Sequence, residues 1–222
     1  MAEKLRLVLR SPRLQLVPKV FFWSGFLGWF YLNQGSFWSW FFLAAASVYF
    51  YSQPLFNSRA QLRSFLVFMG MAPAVAKAAP LALPALPFLF YLILGLKQLV
   101  LLNRELWRQF LNLALFYIIF LVLFSINPLN FRLAAGPAFL AIFLLWRDFF
   151  STPASLALTL VNLELLWVIG LLPLGFLNAA NLLWLMTFSL LETVGGRQWN
   201  LKRGLVLAGL AFFILLTSRW SL

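Results

Sequence analysis

Nine apolar runs, each parted from the next by a short polar or basic stretch, decide what this chain can become. They fall near residues 20–32, 37–52, 64–77, 81–102, 109–126, 133–147, 153–171, 178–192 and 205–218. A run with almost no charge finds its solvent in hydrocarbon. About 20 helical residues rising 1.5 Å each cross a core roughly 30 Å thick. Several of the runs are shorter, so flanking residues must complete them. Composition excludes the soluble alternative: 64% of the 222 residues are apolar and 10% charged. Soluble domains hold about 45–50% apolar and about 25% charged residues. The 26 Phe and 10 Trp would leave sticky patches in water. The fold expected is all-α: a polytopic transmembrane helix bundle of about nine spans, within a range of seven to nine, with its N-terminus cytoplasmic. Residues 1–19 read as a cytoplasmic basic N-terminal segment and 20–222 as a single transmembrane helical domain.

Orientation follows from the basic residues. On one side of this arrangement lie Lys4, Arg6, Arg10, Arg13, Lys19, Arg59, Arg63, Lys97, Arg104, Arg108, Arg147, Arg197, Lys202 and Arg203. Only Lys77, Arg132 and Arg219 lie on the other, a 14 to 3 split that the positive-inside rule assigns to the cytoplasm. An even number of spans would need one re-entrant segment or two merged ones. The net charge of +12 is therefore read as a topology signal rather than as a nucleic-acid footprint, and no nucleic-acid partner is expected.

Local features refine the picture. Arg6, Arg10 and Arg13 share one helical stripe, which suits either a short helix on an anionic leaflet or a solvated basic tail. Pro12 and Pro18 are expected to limit any continuous helix there. A signal peptide fits poorly, because another span follows the first apolar run almost at once. Asn33, Gln34, Gly35 and Ser36 make a hairpin between the first two spans, and Trp29, Tyr31, Trp38 and Trp40 crowd it at what should be headgroup level. The stretch 71–90 carries Pro73, Pro80, Pro84 and Pro87 around Lys77. It reads as an outer turn whose prolines open the next helix, or as a broken helix at membrane depth.

Chemistry is sparse. With no Cys and no His, disulfides, thiolate or imidazole metal sites and Ser-His-Asp catalysis are excluded. Five acidic residues supply no carboxylate pair for metal-assisted phosphoryl transfer, and no Walker A, HExxH or GxSxG motif is present. No catalytic residue, cofactor or metal is assigned. Glu164 stands out, because about eleven residues past Pro153 it lies roughly 16 Å into the core. A carboxyl at that depth must be paired, protonated or hydrated, and usually faces the bundle interior. Asn162 is two residues away, Asn178 and Asn181 share a face of the next span, and Glu105, Gln109 and Asn112 form a stripe running inward. The candidate substrate- or ion-binding set is therefore Glu164, Asn162, Asn178, Asn181 and Asn112, with interhelical hydrogen bonding as the competing use of the same residues. Arg147 with Asp148 and the segment from Glu192 to Gly204 read as interfacial anchors, the latter also as the place for a cytosolic partner.

Two functions fit a multi-pass cell-membrane protein without soluble domains, a bacterial inner membrane being its expected place. The first choice is a small transporter or permease for a polar or cationic solute, which would align the five residues around one cavity. The other is a non-catalytic membrane subunit or assembly factor that packs in the bilayer against another membrane protein or a second copy. It would satisfy the amides pairwise and turn an apolar aromatic face outward.

Overall fold

The computed structural model describes residues 12–33, 36–53, 61–126, 128–195 and 201–218. The stripe of Arg6 and Arg10, the hairpin residues Gln34 and Gly35, the basic residues Arg59, Arg197 and Arg219 and part of the 192–204 loop lie outside them. So does the side chain of Arg13.

Among the described residues the chain is all-helical, with nine α-helices that match the nine apolar runs one for one. They are α1 (Pro12–Leu32), α2 (Phe37–Ser52), α3 (Leu62–Ala78), α4 (Ala85–Lys97), α5 (Arg104–Ser125), α6 (Pro128–Trp146), α7 (Thr152–Gly170), α8 (Phe176–Val194) and α9 (Leu201–Thr217). Three of these, α5, α7 and α8, are long and apolar enough to cross a membrane. Shorter apolar helical stretches occupy Ala85–Lys97, Ala134–Trp146 and Gly204–Thr217.

Two expectations are corrected by the backbone. Helix α1 starts eight residues before the first apolar run and continues through Pro18. Pro12 opens the helix at a position whose N–H has no intrahelical partner, and Pro18, nearly two turns further in, forfeits a single bond. The fourth run, 81–102, is α-helical only from Ala85 to Lys97. Val100 donates to the Gly95 carbonyl at 3.0 Å and Leu99 to the Leu96 carbonyl at 3.4 Å, while Leu99 takes a left-handed φ of 62°. That is a Schellman closure, and it ends the helix although the sequence stays apolar. Hydropathy reports composition and is blind to such a stop.

Of the Pro-rich stretch 71–90, only 79–84 between α3 and α4 is a turn, and the rest is α-helical. Helix α3 runs through Pro73 to Ala78, a 3-10 turn spans Pro80–Ala82, and α4 follows with Pro84 as its N-cap and Pro87 in its first turn. Pro80, Pro84 and Pro87 thus stand where a missing donor costs least, whereas Pro73 lies inside α3 and forfeits one intrahelical bond.

The chain divides into two compact units, Met1–Ala114 and Leu115–Leu222. In the first, α1 and α2 form an antiparallel hairpin, and α1 also packs on α4. Small residues let α1 and α2 approach: Ser39 and Ser47 are fully buried, and Trp23 Nε1 donates to Ser47 Oγ at 2.6 Å. Trp23 stacks on Phe90 at 4.6 Å and lies 5.4 Å from Phe68, so three large rings from α1, α3 and α4 fill the centre of the unit. In the second unit α7 packs between α6 and α8, and α9 packs on α8. Phe116 meets Trp146 at 5.2 Å in its core.

Candidate functional site

In the second unit the buried face of α7 is a polar stripe. Ser155, Thr159 and Asn162 follow one another at i, i+4 and i+7 and are wholly inaccessible to solvent. Ser155 and Thr159 turn their hydroxyls back onto carbonyls one turn earlier, Ser151 at 2.8 Å and Ser155 at 2.7 Å. Asn162 has a partner on the neighbouring helix. Its amide nitrogen donates to the Leu158 carbonyl at 3.1 Å, and its oxygen accepts from the Thr187 hydroxyl of α8 at 2.6 Å.

Asn178 and Asn181 stand at the start of α8, half-buried. Asn178 donates to Ser218 Oγ at 3.1 Å, just past the end of α9. Thr187 lies nine residues beyond Asn178 on the same helix, which at 1.5 Å per residue separates the two amide pairs by about 13 Å.

Glu164 is on the other side of α7. Two residues past Asn162 it is rotated by about 200°, and it is exposed. Around it on the outer surface are Leu160 and Val161 one turn before and Trp167 and Val168 one turn after, with Trp167 64% exposed. It makes no hydrogen bond or ion pair with the described residues. That position departs from the expectation of an inward-facing carboxyl, and the cause is geometric. A face of α7 wide enough to bury Ser155, Thr159 and Asn162 leaves position 164 outside.

The first unit holds Asn112, which is fully buried and accepts from Ser64 Oγ of α3 at 2.8 Å. Glu105 and Gln109, earlier on the α5 stripe, stay near the surface. Glu105 there pairs with Arg108 at 2.8 Å and accepts from Gln109 at 3.3 Å. Just past the end of α6, Arg147 donates to the Phe150 carbonyl at 3.2 Å.

The buried Asn162 and Asn112 and the half-buried Asn178 thus each meet a hydroxyl that sequence reading did not single out: Thr187, Ser64 and Ser218 respectively. The Ser155, Thr159, Asn162 periodicity was the available signal, since small polar residues at i, i+4 and i+7 mark a helix interface in lipid. Elsewhere in the second unit a cleft of about 450 Å³ opens among Leu123, Phe124, Leu166, Trp167, Gly170 and Phe176. Its lining side chains are apolar, and neither Glu164 nor any of the asparagines is among them. Among the described residues no group of three His, Cys, Asp or Glu side chains gathers as a metal site. Comparison with protein-family models, with curated proteins and with solved structures returned no match.

Proposed function

We propose that this chain is a multi-pass protein of the cell membrane, with about nine spans and a cytoplasmic N-terminus, that works by packing α7 against another membrane helix. The single observation that carries this reading is Glu164, an exposed carboxyl in the middle of an otherwise apolar face. Facing hydrocarbon, a charged side chain near the centre of a span costs roughly 2.5–3.5 kcal/mol on insertion scales. A partner helix offering a hydrogen-bond donor removes that cost, and the surrounding Leu160, Val161, Trp167 and Val168 supply the contact area. The asparagines support the same reading, because Asn112, Asn162 and Asn178 each have a hydroxyl partner rather than an open cavity. The membrane topology is supported by the alternation of basic residues along the chain and by exposed Trp29, Tyr31, Trp38 and Trp40 around one hairpin.

A photo-crosslinking residue placed at Val168 and irradiated in native membranes tests it. The expected product is a discrete protein adduct, from a different protein or a second copy, whose yield collapses when Glu164 is changed to Leu. Adducts to lipid alone would count against it. So would a solute or proton flux in liposomes of the purified protein that Glu164→Gln abolishes, which would make the chain a transporter.

A further inference from the structure

Two lysines converge where α2 and α4 end, Lys19 lying about two turns into α1. Lys97, the last residue of α4, is 1% exposed; its ammonium donates to the Tyr51 carbonyl and lies 4.4 Å from the centre of the Tyr51 ring. Lys19 of α1, half-buried, reaches the Gln53 carbonyl at 3.5 Å and is near enough for its charge to act on Lys97. Gln98 Nε2 points at that same carbonyl from 3.4 Å.

Capping of α2 accounts for part of this arrangement only. The C-terminus of a helix carries roughly half a negative charge, whereas two ammonium groups bring two positive ones. Neither lysine has a carboxylate partner among the described residues. Glu105, the described carboxylate of this unit, is engaged with Arg108. An ammonium has three donors, and each of these lysines spends one on a carbonyl. A net positive charge is therefore held at one end of the unit, with Lys97 beneath and Lys19 and Gln98 at the accessible surface.

The opposite end of the α1–α2 hairpin carries the exposed rings of Phe37 and Trp38. Helix α2 has 16 residues, so the two ends stand about 24 Å apart, close to the thickness of a hydrocarbon core. With the aromatic rings at one headgroup layer, the lysines reach the other. Phosphate is the anion that layer supplies.

We infer that Lys19, Lys97 and Gln98 form a phosphate-binding site, Lys19 and Gln98 touching the anion and Lys97 acting on it as a buried charge. The source is either the headgroup of an anionic lipid or free phosphate. The site rests on the membrane reading of these helices and not on the Glu164 face.

Full-length protein in nanodiscs, with and without a fraction of phosphatidylglycerol, tests it by native mass spectrometry of retained lipid, beside a titration with inorganic phosphate followed by thermal unfolding. Wild type is expected to retain the anionic lipid, and Lys19→Gln and Lys97→Gln each to weaken retention about fivefold, the worth of one lysine at an anionic surface. Lys97→Gln keeps a donor for the Tyr51 carbonyl, so an intact unfolding profile separates lost charge from lost fold. Lys77→Gln, at the far end of α3, is expected to change nothing. If phosphate alone stabilises the protein and the two variants lose that effect, the site stands with free phosphate as its ligand. Equal binding by wild type and both variants, an equal loss in Lys77→Gln, or no binding of either probe overturns it.

Discussion

Thr187 and Asn162 join α8 to α7 through a 2.6 Å hydrogen bond with no solvent access to either residue. Removing the hydroxyl while keeping the shape, as Thr187→Val does, leaves the Asn162 oxygen buried without that donor. The expected cost is about 1 kcal/mol, since interhelical polar contacts in membranes average about 0.6 and reach about 1.7 kcal/mol. Unfolding in bicelles of Thr187→Val, Asn162→Ala and the double variant checks it. Strict additivity of the two single effects would mean that the pair contributes nothing as a pair.

How α4 ends gives a second expectation. Leu99 is held at φ 62°, where a side chain costs roughly 1–2 kcal/mol and glycine costs little. Leu99→Gly is expected to raise stability, by less than that amount because glycine also loses more freedom on folding. Leu99→Val is expected to lower it, its β-branch being worst suited to this region. Thermal unfolding of the purified variants should order them Gly, Leu, Val, and any other order would argue against the Schellman closure.

Helices were legible in the sequence and helix ends were not. Every apolar run became one helix, because hydrophobic residues in a membrane-like pattern leave the backbone nothing but internal hydrogen bonds. Boundaries depend on features that hydropathy ignores: Pro12 opens α1 well before the apolar stretch, and Leu99 in a left-handed conformation closes α4 before its apolar stretch is spent. The same divide runs through the candidate site. Asn162, Asn112 and Asn178 were visible as unusual residues in apolar surroundings. Their partners Thr187, Ser64 and Ser218 are common in membrane helices, and only packing singles them out. Glu164 was visible as a lone carboxyl within an apolar run, while the direction it faces is set by the width of the buried face of α7.

Topology gives the third expectation. With the N-terminus inside, a reporter fused at residue 1 or near Arg59 should read as cytoplasmic and one placed after Leu222 should not. Lys77 is exposed at the end of α3, so a Cys introduced there should react with a membrane-impermeant reagent added outside. A cytoplasmic signal from the C-terminal fusion would mean that one of the nine helices does not cross.

Glu164 separates the two functions most sharply. Because it is exposed and has no partner among the described residues, its side chain does not hold the fold together. Glu164→Gln and Glu164→Leu are therefore both expected to leave unfolding of the isolated protein within about 0.5 kcal/mol, the usual range for surface changes. Insertion of α7 should improve in the Leu variant, since a charged group at that depth is disfavoured by roughly 3 kcal/mol and leucine is favoured. Assembly should behave in the opposite way. Gln keeps an acceptor and gains a donor, so it should retain most of the Val168 crosslink, whereas Leu cannot answer a polar group on the partner and should lose it. A transporter would invert that ranking, because Gln cannot carry the negative charge that binds a cation or moves a proton. Measuring crosslink yield and flux in liposomes on the same two variants distinguishes the cases. A Gln variant that folds and crosslinks normally but has lost a flux would sink the packing reading.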